Sequence, residues 1–120
     1  SIADAYGTIK VMMQDYALDE IYLLPNGVHS VQEGQQLFER INQVCARFLG
    51  HSIKMIGSVE QDELVLTALK KYQSVLEFAP SSAAARDFRR LAEAVRTLPP
   101  LENASGGMQF FVERLVQSRT

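Results

Sequence analysis

Residues 21–59 have the sequence IYLLPNGVHSVQEGQQLFERINQVCARFLGHSIKMIGSV, in which two short apolar runs flank one long amphipathic segment. The runs at 21–24 and 53–59 contain many strand-forming residues, and a turn-forming or polar stretch follows each of them, which predicts two strands. The segment between them carries apolar residues at helical spacing. Two strands joined by a helix of about 20 residues form a βαβ unit with parallel strands. The stretch therefore predicts an α/β fold.

Capping residues mark both ends of the predicted central helix. Ser30 and Glu33 match a capping box, in which the serine oxygen and the glutamate each satisfy a free backbone N–H. Gly50 suits the other end, because a glycine in the left-handed region commonly closes a helix. The apolar stripe expected to face the strands consists of Leu37, Phe38, Ile41, Val44, Cys45 and Phe48. Residues 25–27 (PNG) are predicted to form a turn after the first strand.

Further helices are predicted on both sides of this unit. Ser1 can cap a first helix, and Asp62 is a candidate N-cap for a helix after the second strand. The apolar positions of that later helix are Leu64, Val65, Ala68, Leu69 and Tyr72. Residues 80–82 (PSS) open another helix, which ends before 99–100 (PP). Its expected inward residues are Ala85, Phe88, Leu91, Ala92, Val95 and Leu98.

The C-terminal part predicts a linker and a short amphipathic helix. We divide the chain into a main portion at 1–98, a linker at 99–107 and a helix at 108–120. The apolar side of that last helix contains Met108, Phe110, Phe111 and Leu115. This helix is expected either to pack on its own domain or a partner, or to dock on a membrane surface. Few basic residues accompany it, which favours packing.

The composition and charge of the chain argue against several classes of function. The net charge of −2 provides no strong field for nucleic acid, so no nucleic-acid partner is expected. The single cysteine, Cys45, cannot form an internal disulfide, which fits the cytoplasm. His29 and His51 have no histidine or cysteine at metal-ligand spacing, so no metal site is predicted. No apolar run approaches the roughly 20 residues that span a bilayer.

Two parallel strands are few for an independent sheet, because parallel strands are normally flanked by further strands and covered on both faces. We therefore expect the chain to be part of a larger protein, and the isolated piece either to pair with a second copy or to aggregate.

Four stretches resemble the MinD/ParA group of deviant P-loop ATPases, and within it the flagellar-number regulators of the FlhG/FleN type. They are the SIADAY helix start with Ile9 and Lys10, Asn26 after the first strand, 57–59 (GSV) with Asp62, and 80–85 (PSSAAA). The resemblance covers nearly the whole chain. It implies a partial P-loop NTPase (MinD-like) fold. The chain would form the C-terminal portion of that domain, in which a βαβ unit with parallel strands is followed by C-terminal helices.

The resemblance also implies a nucleotide site. In this family the asparagine after this strand and the loop after the next strand lie beside adenine, so Asn26, Glu60 and Asp62 inherit that role. Glu60 stands where the family usually has proline. The parent protein is expected to bind ATP and Mg²⁺ and to hydrolyse ATP. This piece contains no Gly-rich G-K-[ST] segment, so it should be inactive, and no cofactor is expected in it.

The implied biology is the control of flagellar number, placement and biosynthesis by a homodimer that acts on flagellar assembly or regulatory proteins. A cytoplasmic location is expected, and peripheral contact with the inner membrane is the alternative if the last helix docks on a membrane surface. The nearest alternative is a cell-division-site or partition ATPase of the same family. A non-enzymatic α/β protein-interaction module is the rival from another class.

Overall fold

A computed structural model describes residues 1–99 of the chain. The predicted C-terminal helix, with Met108, Phe110, Phe111 and Leu115, lies outside the described residues, as does most of the predicted linker at 99–107. Five helices and four short strands occur within 1–99. In chain order they are α1 Ile2–Asp15, β1 Tyr22–Leu23, β2 Asn26–Val28, α2 Val31–Leu49, β3 Lys54–Met55, β4 Val59–Glu60, α3 Glu63–Lys70, α4 Val75–Phe78 and α5 Ala83–Arg96.

The strands form two parallel pairs, β1 with β3 and β2 with β4, so the predicted βαβ unit with parallel strands is confirmed. The hydrogen bonds form one ladder along both pairs. Backbone N–H groups of Lys54, Ile56, Val59 and Gln61 donate in turn to the carbonyls of Ile21, Leu23, Pro25 and Val28. The register shifts between Asn26 and Val28. Two extended segments thus run side by side, with an irregularity in the middle.

The predicted turn at residues 25–27 is wrong, because Asn26 begins β2. Pro25 has no N–H, but its carbonyl accepts the Val59 N–H at 2.9 Å, so the proline does not interrupt pairing on this side. Gly27 has φ of 71°, a left-handed conformation that glycine adopts at low cost. The chain bends here and continues the ladder.

The predicted capping of α2 is confirmed at both ends. The Glu33 N–H donates to Ser30 Oγ, and the Glu33 carboxylate accepts the N–H of His29. Gly50 closes the helix with φ of 69°. Near the N-terminal end, Gly34 is buried and faces Ser58, where a Cβ would lie 3.2 Å from the Ser58 Cβ. This close approach brings α2 onto the strands.

Two apolar clusters hold the elements together. The first joins α1, α2 and β3 through Ile9, Ile41, Cys45 and Ile53. The second lies under α3, α4 and α5 and contains Val59, Ala68, Val75 and Ala84. α4, whose N-cap is Ser74, is a short helix that the apolar spacing does not predict.

The inward faces of three helices differ from expectation. Phe48 of α2 is 62% exposed, although its ring contacts Tyr6 of α1 edge-on, with 6.4 Å between the ring centroids. α3 ends at Lys70 and buries Ala68, while Leu69 and Tyr72 are exposed. α5 buries Ala84, Ala85 and Asp87, while Ala92 and Val95 are exposed. Small residues bring α5 close to β4, and a hydrogen-bonded carboxylate occupies part of the packed face.

No helix within residues 1–99 combines the length and the apolar character that crossing a membrane requires.

Candidate functional site

The three predicted site residues line one hollow, which lies between the start of β2 and the segment formed by β4 and the residues that follow it. Its volume is about 240 Å³. This is below the roughly 300–1,000 Å³ of sites that enclose a drug-sized ligand, so the hollow suits one part of such a ligand, such as a ring. The lining residues are Asn26, Gly27, Val59, Glu60, Gln61, Asp62, Glu63, Val65, Leu66 and Phe88.

Asn26 is exposed at the start of β2 and pairs in register with Val59. Its side-chain amide makes no hydrogen bond to any other residue in 1–99. An amide offers both donors and an acceptor, which is the combination needed to bind the polar edge of a base. Asn26 is therefore positioned to contact a ligand in the hollow.

Asp62 uses both carboxylate oxygens within the protein. Oδ1 accepts the Leu64 N–H at 3.0 Å, which confirms the predicted N-cap of α3. Oδ2 accepts the Ala84 N–H at 3.1 Å, in the first turn of α5. One side chain thus caps α3 and ties the start of α5 to the wall of the hollow.

Glu60 is held by α5 at two points. Its backbone N–H donates to Asp87 Oδ2 at 2.9 Å, and its carboxylate accepts from Arg86 Nη2 at 3.2 Å. Asp87 is buried, and its second oxygen lies 3.4 Å from Arg86 Nε and 4.0 Å from Arg90 Nη1. The carboxylate of Asp87 therefore binds both the backbone of the hollow and the arginine beside it.

Arg86 and Asp87 hold Glu60 beside the hollow, and the sequence reasoning missed both of them. The signal was present, because Asp87 lies three residues after Ala84 and four before Leu91, on the face that α5 was expected to bury. A carboxylate on such a face has to find buried partners. Its partner is a backbone N–H 27 residues away in the chain, and helical periodicity carries no information about so distant a group.

A second hollow, of about 300 Å³, lies beside the end of α1 and contains none of the predicted site residues. Its lining includes Met13, Leu18 and Leu49, with Asp19 and His51 as the titratable side chains. No group of three potential metal-binding side chains occurs in the part of the chain that the structure describes. Cys45 is fully buried, and burial raises the pKa of its thiol, which makes it unsuited to act as a nucleophile.

Comparisons with known proteins find relatives along almost the entire chain. No family model matches it. The chain is 39% identical over 117 residues to antiactivator FleN of Pseudomonas aeruginosa, an alignment that covers 98% of this chain and 42% of that protein. It is 23% identical over 121 residues to flagellum site-determining protein YlxH of Helicobacter pylori, with 98% of this chain and 40% of that protein covered.

The chain thus spans about two fifths of the length of the curated relatives that it matches. The similarity to FleN extends beyond the four stretches that carry the motif resemblance, because it includes nearly every element of the described fold. The resemblance predicted from those stretches is confirmed: the chain is related in sequence to the flagellar regulators of the FlhG/FleN type.

Proposed function

We propose that this chain is the C-terminal portion of a MinD/ParA-like ATP-binding protein that regulates flagellar number, placement and biosynthesis. The hollow at Asn26, Glu60 and Asp62 receives the adenine base of ATP. The relationship to FleN and YlxH supports the flagellar role, since one relative is named an antiactivator and the other a flagellum site-determining protein.

One observation carries the adenine site: three residues from two separate segments, Asn26 from one and Glu60 and Asp62 from the other, line the same hollow beside two parallel strands. In open α/β sheets, ligands bind outside the carboxyl ends of the strands. The unoccupied amide of Asn26 supplies donors and an acceptor, and the Phe88 and Val65 side chains supply apolar surface for a ring. The shared geometry and the residue chemistry agree with the role that the resemblance implies.

The chemistry of the whole protein would depend on parts that other segments supply. ATP and Mg²⁺ would be held chiefly by a P-loop and its neighbouring switch residues, whose G-K-[ST] signature does not occur in these 120 residues. The contribution of this piece is to bind and orient the base. The piece on its own is therefore non-catalytic, and the ATPase activity belongs to the complete protein.

The proposed assembly is a cytoplasmic homodimer that acts on flagellar assembly or regulatory proteins, and peripheral contact of the last helix with the inner membrane is the alternative to its packing within the assembly. Partner identity separates this role from that of a cell-division-site or partition ATPase. A non-enzymatic interaction module would have the same fold but no need for an amide directed to a base.

The adenine site is tested by replacing Asn26 in the full natural protein. Asn26→Ala removes the donors and the acceptor, and we expect it to weaken ATP binding about fivefold to thirtyfold, the value of one or two hydrogen bonds. Isothermal titration with ATP and GTP measures the change. Gln36→Ala is the matched control, because it removes an exposed amide from α2 away from the hollow.

ATP affinity that is unchanged in Asn26→Ala, or equal affinity for ATP and GTP in the unmodified protein, would contradict the adenine site.

A further inference from the structure

The hollow has a charge pattern that is unfavourable for an anionic ligand. Three carboxylates line it, from Glu60, Asp62 and Glu63, and its lining among residues 1–99 includes no lysine or arginine. A carboxylate can only accept hydrogen bonds, and it repels the phosphates of a nucleotide. A site for ATP at this place therefore needs a way to neutralise or fix these charges.

Asp62 is already fixed, since its two oxygens accept backbone N–H groups of α3 and α5. Glu60 is the carboxylate whose position depends on another side chain. Arg86 reaches it from α5, with 3.2 Å between Arg86 Nη2 and Glu60 Oε2. The two side chains are 49% and 38% exposed, so the contact is partly open to solvent, and of the two residues only Glu60 lines the hollow.

Asp87 gives Arg86 its direction. The carboxylate of Asp87 is 7% exposed, and its Oδ1 lies 3.4 Å from Arg86 Nε while its Oδ2 accepts the Glu60 N–H. A guanidinium bound at both Nε and Nη2 has little rotational freedom. Asp87 thus orients Arg86 so that its guanidinium contacts the Glu60 carboxylate.

We propose that Arg86 is a positioning residue of the base site: it holds the Glu60 carboxylate and offsets its charge, so that the hollow repels the phosphates of an adenine nucleotide less strongly. This inference rests on the proposed function and deepens it, because it assigns the tolerance for phosphate charge to a residue outside the hollow. A neutral nucleoside does not require that offset.

The test compares ATP with adenosine in the full natural protein by isothermal titration. Arg86→Ala frees the charge of Glu60, and we expect ATP binding to weaken about fivefold, the upper range for a partly exposed ion pair, while adenosine binding changes less than about twofold. Adding Glu60→Gln to Arg86→Ala removes the repelling charge and should restore ATP binding. Raising the salt concentration should shrink the ATP effect, because the repulsion is screened.

Two further variants separate charge from folding. Arg86→Gln keeps a polar side chain of intermediate length without the charge, and it should show the same selective loss for ATP even where Arg86→Ala is poorly folded. Arg96→Ala is the matched control, because it removes one positive charge and one ion pair with a glutamate, Glu93, from the same helix. We expect its affinity for both ligands to match that of the unmodified protein.

The results separate a failure of the proposed function from a failure of the role assigned to Arg86. If the unmodified protein binds neither ATP nor adenosine, the proposed function is wrong. If it binds both and the Arg86 variants lose affinity for both equally, or Glu60→Gln fails to restore ATP binding, the role assigned to Arg86 is wrong and the proposed base site stands.

Discussion

Asp87 illustrates how a single side chain changes the environment of a helix face. Helical spacing places it among apolar residues, where an unpaired carboxylate would be costly. In the structure its two oxygens bind the Glu60 N–H and the Arg86 guanidinium, so burial is compensated by hydrogen bonds. The residues Ala92 and Val95, which the spacing placed inward, are exposed.

The residue-scale prediction concerns this carboxylate. Asp87→Ala leaves the part-buried Glu60 N–H without its acceptor, and we expect the free energy of unfolding to fall by about 1–3 kcal/mol. Asp87→Asn retains an oxygen that can accept the N–H, so its loss should be smaller. Urea denaturation of the full natural protein measures both. Asp4→Asn, at a carboxylate that is 91% exposed, is the control and should change stability by less than about 0.5 kcal/mol. Equal stability of the unmodified protein and Asp87→Ala would refute the structural role.

At the scale of elements, local signals in the sequence were sufficient wherever the deciding contacts are local. Ser30 with Glu33, Asp62 and Gly50 act within a few residues, and the structure confirms each of them as a cap. The predicted turn at 25–27 failed because Pro25 and Gly27 usually signal turns, whereas here a ladder with a segment some 34 residues away keeps the chain extended. The sequence analysis did not predict α4 for a related reason, since a four-residue helix is too short to show periodicity.

The residues at the candidate site also differ in whether the sequence could predict them. The contact of Asn26, Glu60 and Asp62 with adenine stays a prediction, but their closeness to one another could be predicted, because a motif resemblance and the geometry of parallel strands place them together. Arg86 and Asp87 could not, because their roles depend on how closely α5 approaches β4. That approach is set by Ala84 and Ala85, which are fully buried, and packing distances of this kind are not encoded in spacing alone.

The element-scale prediction compares two glycines that lie in helices. Gly34 of α2 faces Ser58 and Pro25, so Gly34→Val would push the helix away from the strands and should destabilise the protein by about 1–3 kcal/mol. Gly7 of α1 has nothing within 4 Å of an added Cβ, so Gly7→Ala should stabilise the protein by about 0.5–1 kcal/mol through helix propensity. Thermal unfolding of the two variants measures both effects. A Gly34→Val protein as stable as the unmodified one would show that α2 does not lie this close to the strands.

At the scale of the whole molecule, the described residues form two apolar clusters beside one pair of parallel segments. The first cluster joins α1 and α2, and the second joins α3, α4 and α5. The hollow lies on the side of the second cluster, which supplies Val59 to its lining. The arrangement makes the proposed base site dependent on α5, because the contacts of Asp62 and Asp87 hold β4 and the segment after it in place.

The central claim is that adenine occupies this hollow. Photolabelling of the full natural protein with 8-azido-ATP, followed by mass spectrometry of the labelled peptides, tests it most directly. We predict that the label falls on peptides containing residues 26–27 or 60–66, and that excess ATP prevents it while excess GTP does not. Labelling confined to other peptides, with the protein otherwise binding ATP, would contradict the account.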